Sequence, residues 1–186
     1  MSWEISKRNY AVLRDDGALD VYCDTPAALA ERMAALAGAG PGVRVLEPSA
    51  GRGAIARVLQ GLGAEVHCVE LGSDMAGALA AEGFSVECAD FRDVRPDPVY
   101  RAVVMNPPFG EGRDAEHVRH AARFLAAGGL LVSTLSRATA EDEGFRGMLE
   151  GMDPVLAVFH EEGLPAETFT VMGTGVPAHL IGIRRG

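Results

Sequence analysis

Four consecutive residues, Asn106-Pro107-Pro108-Phe109, bring a carboxamide, two imide carbonyls and a phenyl ring to one point of the chain. A carboxamide oxygen and a proline carbonyl can accept hydrogen bonds from an exocyclic amino group, and a phenyl ring can stack on a flat base. Such a set suits chemistry on the amine of a nucleobase. The preceding run, residues 100–105 (YRAVVM), reads as a buried strand. Neither proline can donate to a ladder, so the strand must stop at the motif. The four residues therefore belong at the C-terminal end of a strand, where open parallel α/β sheets bind ligands.

A second group, Glu47-Pro48-Ser49-Ala50-Gly51-Arg52-Gly53, lies between a strand-like run at 43–46 and a helix-like run at 54–59. Gly51 and Gly53 permit a tight turn and close backbone approach to a ligand, with a helix N-terminus beyond them. Gly51-x-Gly53-x-x-Ala56 also fits the dinucleotide fingerprint, and Glu70 follows Gly51 by 19 residues. An acid at that offset can hold ribose hydroxyls. The segment points to an adenosine-bearing cofactor and leaves open whether it is a dinucleotide or S-adenosylmethionine.

The elements that must position these groups follow from periodicity. Thr25 is expected to cap a helix with Pro26 as its first residue, and Leu29, Met33 and Leu36 form its apolar stripe. Gly38, Gly40 and Pro41 end that helix. Strands are expected over 43–46, 66–69 (closed by Glu70), 84–88, 100–105 and 130–135. Helices are expected over 54–59, from a Ser73 cap to Gly83, and over 114–127, the last stopped by Gly128-Gly129. Two further strands, 155–159 and 178–183, suit an antiparallel hairpin at the sheet edge. The alternation predicts an α/β fold: a doubly wound, seven-stranded, mostly parallel sheet with helices on both faces and an antiparallel C-terminal hairpin. It reads as one domain, with 1–23 an N-terminal extension and 24–184 the core.

Composition limits the function. The 186 residues are 48% hydrophobic, which excludes disorder. No apolar stretch is long enough to span a bilayer and the N-terminus lacks a signal-peptide core, so no membrane partner and a cytoplasmic location are expected. Cys23, Cys68 and Cys88 cannot build a disulfide framework, and Cys68 and Cys88 read as buried thiols in strands. No Cys-x-x-Cys pair exists, and His117 and His120 with Asp114 read as a solvated helix face, so no metal is expected. Glu141-Asp142-Glu143 reads as an acidic helix start. The formal charge of −9 opposes unaided nucleic-acid binding, although Arg52, Arg113 and Arg137 follow strands and could form a local basic rim.

Taken together, Glu47-Pro48-Ser49-Ala50-Gly51-Arg52-Gly53 and Asn106-Pro107-Pro108-Phe109 resemble the paired motifs of class I S-adenosylmethionine-dependent methyltransferases that modify exocyclic amines. Their order resembles that of the adenine-specific DNA methyltransferases of bacterial and phage type. Thr25-Pro26-x-x-Leu29 resembles the segment that closes over the methionine end of the cofactor, and Gly173-Thr174-Gly175-Val176 resembles a late hairpin of that group. The resemblance runs from about residue 24 to 184 and implies a Rossmann-like domain; the target-recognition region usual in that group is not expected here, a departure from its pattern. It implies S-adenosylmethionine as cofactor, held by Thr25, Pro26, Glu47, Pro48, Ser49, Ala50, Gly51, Gly53, Glu70, Asp90 and Asn106. Within that set Glu47 would lie near the amino-acid portion, Glu70 would bind the ribose and Asp90 would accept from the adenine amine.

The resemblance also implies Asn106, Pro107, Pro108 and Phe109 as catalytic residues for direct methyl transfer to adenine in DNA. The Asn106 oxygen and the Pro107 carbonyl would accept from the target amine and expose its lone pair, while Phe109 stacks on the base. Sequence recognition would then come from loops, a partner subunit or a guide. The same signature occurs in methyltransferases of guanine amines in ribosomal RNA and of glutamine amides in release factors, so RNA and protein stay open as substrates. Two other classes are a non-catalytic cofactor-binding subunit and an NAD-dependent oxidoreductase. The second lacks a proton-shuttling pair, since the only lysine is Lys7 and Tyr10, Tyr22 and Tyr100 are scattered.

Overall fold

A computed structural model describes residues 9–13, 19–152, 156–169 and 177–186. Two strands, β1 (Asn9–Leu13) and β2 (Leu19–Cys23), pair antiparallel ahead of the main sheet. There follow α1 (Ala27–Leu36), β3 (Arg44–Glu47), α2 (Ala54–Gly61), β4 (Glu65–Glu70), α3 (Ser73–Ala81) and β5 (Ser85–Cys88). The second half holds β6 (Tyr100–Met105), α4 (Arg113–Ala121), β7 (Leu125–Ser136), α5 (Arg137–Ala140), α6 (Glu143–Glu150), β8 (Leu156–Gly163) and β9 (Ala178–Arg185).

Seven strands form the sheet in the order β5-β4-β3-β6-β7-β9-β8. The β3–β4, β3–β6, β4–β5 and β6–β7 pairings are parallel, while β9 runs antiparallel to both β7 and β8. This is the doubly wound, mostly parallel sheet that the alternation predicts. The C-terminal hairpin is antiparallel as expected, with β9 inserted beside β7 and β8 taking the edge.

Period-2 alternation divides the core between the two faces of the sheet. Val45, Ala102, Val104, Val132 and Leu180 meet Leu29 and Met33 of α1 and Ile55 and Leu59 of α2. Their neighbours Leu46, Val103, Met105, Leu131 and Ile181 meet Val118 and Ala121 of α4 and Phe145 and Leu149 of α6. Cys68, Ala56 and Leu79 pack α3 on the first face.

Several local expectations are corrected. Thr25 does not cap α1: Pro26 holds the N-cap position, with extended ψ 141° and no side-chain bond. Ser73 is the first residue of α3 and Gly72 is its N-cap. The helix expected to reach residue 127 stops at Ala121, a 3-10 turn covers Ala122–Phe124, and β7 begins at Leu125. Gly128-Gly129 is a bulge inside that strand. Tyr100 pairs with Leu125 and Ala102 with Leu130, so the residues between loop out, and Gly128 takes φ +68°.

Cys68 is buried as expected, but Cys88 is exposed because β5 is an edge strand. The β5–β6 connection contains only a 3-10 turn, Phe91–Asp93, and no α-helix. A cleft of about 480 Å³ stays open near the N-terminal ends of these strands, lined by Arg44, His67, Ser85, Asp97 and Tyr100 among others. Gly173 to Val176, the expected late hairpin, lie outside the described residues. No helix among the described residues is long and apolar enough to cross a membrane.

Candidate active site

Parallel strands deliver their C-terminal ends to one side of the sheet. Glu47 ends β3, Glu70 ends β4, Asp90 follows β5 and Asn106 follows β6. The chain runs outward through β3, β4 and β5 and then returns to place β6 on the other side of β3. The strand order therefore reverses between β3 and β6, whose pairing sets Val45 against Ala102 and Leu46 against Val103. A reversal point of this kind opens a crevice beyond the carboxyl ends of the two strands. The glycine loop and the Asn-Pro-Pro-Phe motif leave the sheet on the two sides of that crevice.

The loop after β3 is tightly wound. Ala50 donates to the Val69 carbonyl at 3.1 Å and Gly53 to the Ala50 carbonyl at 2.7 Å. Gly51 and Gly53 both have positive φ, +53° and +78°. A Cβ on Gly53 would fall 2.5 Å from Leu79 Cδ2, so only glycine fits where this loop meets α3 and starts α2. Pro48 and Ala50 are buried and Ser49 is half-buried.

Glu70 fastens the loop. It is 1% exposed, and its two carboxylate oxygens accept from Gly51 N and Gly72 N, each at 2.7 Å. Burial raises its pKa, and the N–H groups of Gly72, Gly51 and Leu71 pull it back. Glu47 is equally buried, and its Oε2 has no hydrogen-bond partner among the described residues. Burial pushes the Glu47 carboxyl well above the usual carboxylate range, and the Glu70 charge adds to the effect. The Ala56 N–H and Arg57 oppose it. An unpartnered carboxylate oxygen this deep is costly unless a donor or cation from outside meets it.

Asp90 is half-buried and its carboxylate is engaged. Oδ1 accepts from Arg92 N at 3.0 Å and Arg92 Nε at 3.1 Å, and Oδ2 pairs with the Arg92 guanidinium at 2.7 Å. Its caps the turn after β5, so a ligand here would share it with Arg92. Thr25 is buried at the start of α1.

The Asn106 carboxamide is held at both ends. Its Nδ2 donates to the Cys23 carbonyl at 3.0 Å, and its Oδ1 accepts from Thr134 Oγ1 at 2.5 Å. Pro107 is buried, while Pro108 and Phe109 are half-buried. The Phe109 ring meets Phe169 edge to face, with centroids 6.3 Å apart, and the Phe109 carbonyl accepts from Arg113.

Three features of the site were not expected from the sequence. Thr134, fully buried near the end of β7, reaches Asn106. The Cys23 carbonyl joins the end of β2 to the same side chain. Asp114 is also fully buried, accepting from Ser136 N at 2.8 Å and Thr139 Oγ1 at 2.7 Å, and so ties α4 to the end of β7 and to α5. The helical stripe carried a signal for it: Asp114, His117, Val118 and Ala121 lie at i, i+3, i+4 and i+7, and all four are buried.

That stripe corrects the reading of His117 as part of a solvated face, and His120, half-buried, donates to the Val94 carbonyl at 3.0 Å. Both pack against Phe91, His117 tilted and His120 edge to face, His117 Nδ1 donates to the Arg113 carbonyl at 2.8 Å, and burial lowers the pKa of each. Among the described residues no group of three or more His, Cys, Asp or Glu could hold a metal. The expected basic rim is also changed. Arg52 lies 3.7 Å from Asp24, Arg137 pairs with Glu141 at 2.7 Å, and Arg113 is bonded to backbone carbonyls.

No family model matches this chain, and no curated protein matches it by sequence. Solved structures do. A provisionally assigned class I S-adenosylmethionine-dependent methyltransferase of Listeria monocytogenes superposes with TM-score 0.71 at 12% identity, over 88% of this chain and 61% of its own. TrmN from Thermus thermophilus gives TM-score 0.62 at 24% identity, over 86% and 49%. TYW2 of P. horikoshii, solved in complex with MeSAdo, gives TM-score 0.65 at 16% identity, over 96% and 72%. The chain thus spans about three fifths of the Listeria protein and half of TrmN. It shares their Rossmann-like fold.

Proposed function

We propose that this chain transfers the methyl group of S-adenosylmethionine to an exocyclic amino nitrogen, with adenine in DNA as the target. The observation that carries the reading is the placement of the Glu47–Gly53 loop and Asn106 on adjacent strands, β3 and β6, where the strand order reverses. A cofactor on the loop and an amine on Asn106 would share one crevice. The structural likeness to proteins described as S-adenosylmethionine-dependent methyltransferases supports the choice of cofactor.

The residues present fit that cofactor. Its ammonium and sulfonium charges suit the buried, unpartnered Oε2 of Glu47. Gly51 and Gly53 keep the loop free of side chains, and Glu70 retains lone pairs for ribose hydroxyls beside its two backbone donors. Pro26 and Thr25 border α1, and Asp90 stands after β5 to accept from an adenine amine. When bound, the cofactor supplies an electrophilic methyl group on a positively charged sulfur.

The chain's own contribution is orientation and electrostatics. An exocyclic amine is a weak nucleophile because its lone pair is delocalised into the ring. Asn106 Oδ1 and the Pro107 carbonyl accept its two hydrogens and favour a pyramidal nitrogen. Phe109 stacks on the base, a contact worth roughly 1–3 kcal/mol, and a base drawn from a duplex must first be flipped out. Arg52, Arg113 and Arg137 already hold partners within the protein, and recognition of sequence falls to loops, a partner subunit or a guide.

Labelled methyl transfer from S-adenosylmethionine to unmethylated DNA, total RNA and protein tests this directly, with Asn106→Ala as control. Label in DNA adenine that the variant loses is the expected result. Label confined to RNA or protein overturns the substrate, and no transfer by protein that binds the cofactor overturns the activity.

A further inference from the structure

The carboxamide of Asn106 has only one way to satisfy its surroundings. The Cys23 carbonyl can accept but never donate, so the group facing it at 3.0 Å must be the amide nitrogen. The oxygen then faces Thr134, whose hydroxyl must donate. Thr134 is fully buried on β7, in register with Leu180 of β9, so its hydroxyl is fixed by the sheet. Asn106 itself is half-buried at the crevice.

We propose that Thr134 is a positioning residue which, with the Cys23 carbonyl, clamps Asn106 so that it offers the crevice an acceptor and lets in amino nitrogens while refusing carbonyl oxygens. One Oδ1 lone pair is used by Thr134, and the other is left for a hydrogen of the target amine. Neither rotating nor flipping the amide is open to it: a flip would set two oxygens against each other at Cys23. A base with an oxo group at the same place would meet Oδ1 with no hydrogen between them, an unpaired contact that discriminates strongly at buried sites. The clamp also joins the end of β2 to the proposed methyl-acceptor site, so β2, β6 and β7 together set the orientation of one side chain.

The proposal rests on the methyltransferase reading for its rate effect, and a readout independent of activity separates the two. Thr134→Val keeps the shape and removes the hydroxyl, and Thr134→Ser restores it. The Asn106 side-chain amide resonances, assigned through Asn106→Ala, report the clamp in the protein alone. In Thr134→Val they are expected to shift and to exchange faster with water, and in Thr134→Ser to stay near their wild-type positions. In methyl transfer Thr134→Val is expected to lower kcat by about 10²-fold, the usual cost of a misplaced reacting group. KM for S-adenosylmethionine should stay unchanged, which also shows that the variant folds. Thr134→Ser should recover the rate. Unmoved Asn106 resonances in Thr134→Val, or an undiminished kcat, overturn the proposal. If wild-type protein transfers methyl to nothing, the methyltransferase reading fails, and the resonances alone then decide whether Thr134 clamps Asn106.

Discussion

Glu47→Gln should stabilise the protein increasingly as pH rises. Glu47 is 1% exposed, its Oε2 is unpartnered, and burial followed by the Glu70 charge holds its pKa well above the ordinary value of 4.5. Between those two values the folded protein keeps a proton on Glu47 that the unfolded chain has released. The folded state then binds one proton more, so unfolding free energy falls as pH rises, by about 1.4 kcal/mol per pH unit. The loss is complete above the folded pKa, and below the unfolded pKa the contribution is fully present. Glutamine has the same shape and no charge to bury, so the variant lacks this slope. Glu70, raised for a similar reason, remains in both proteins and largely cancels in the comparison. Urea denaturation of both proteins at several values from about pH 5 to 8 should give curves that diverge with pH, Glu47→Gln being the more stable at the upper end. Under the proposed function the same charge meets the cofactor, so calorimetry should then show that S-adenosylmethionine binds Glu47→Gln more weakly. Parallel stability curves would refute the reasoning, since they would mean that Glu47 titrates alike in both states.

Two substitutions test the supports around the site. Gly53→Ala imposes a side chain at φ +78° with its Cβ 2.5 Å from the buried Leu79, and should destabilise by about 2–3 kcal/mol in urea denaturation. Asp114→Ala strips the acceptor from Ser136 N and Thr139 Oγ1 inside the protein, and should cost about 2–5 kcal/mol, with Asp114→Asn milder because it keeps one acceptor oxygen. Equal stability of Asp114→Ala and wild type would show that those donors find water.

The sheet was legible because its strands are short apolar runs ended by glycine, proline or an acid, and because a two-residue period separates the two faces so sharply. Val45 and Leu46, side by side in sequence, belong to different cores. What misled was punctuation with two meanings. Gly128-Gly129 serves equally as a helix stop or as a bulge, and the choice is made by β6, whose Tyr100 and Ala102 capture Leu125 and Leu130 from more than twenty positions away. Cys88 fails for a similar reason, since nothing in its own neighbourhood says that β5 is the last strand. His117 was different: the i, i+3, i+4, i+7 stripe that buries it could be read from the sequence, but polar residue types hid the pattern.

At the site, residue types and strand ends were legible, while the bonds that orient them were not. Glu70 meets Gly51 across 19 positions, Asn106 meets Thr134 across 28 and Cys23 across 83. Partners at such separations follow no local period; they follow from which strands are neighbours. The sheet order explains why the two motifs inform more as a pair than singly. A glycine loop after a strand fits many cofactors, and an Asn-Pro turn fits many sites. Once β3 and β6 are adjacent and the strand order reverses between them, the loop and the amide must open onto the same crevice. The buried acid ends β3 and the clamped acceptor follows β6, and on that adjacency rests the proposed pairing of a cationic methyl donor with an amine acceptor.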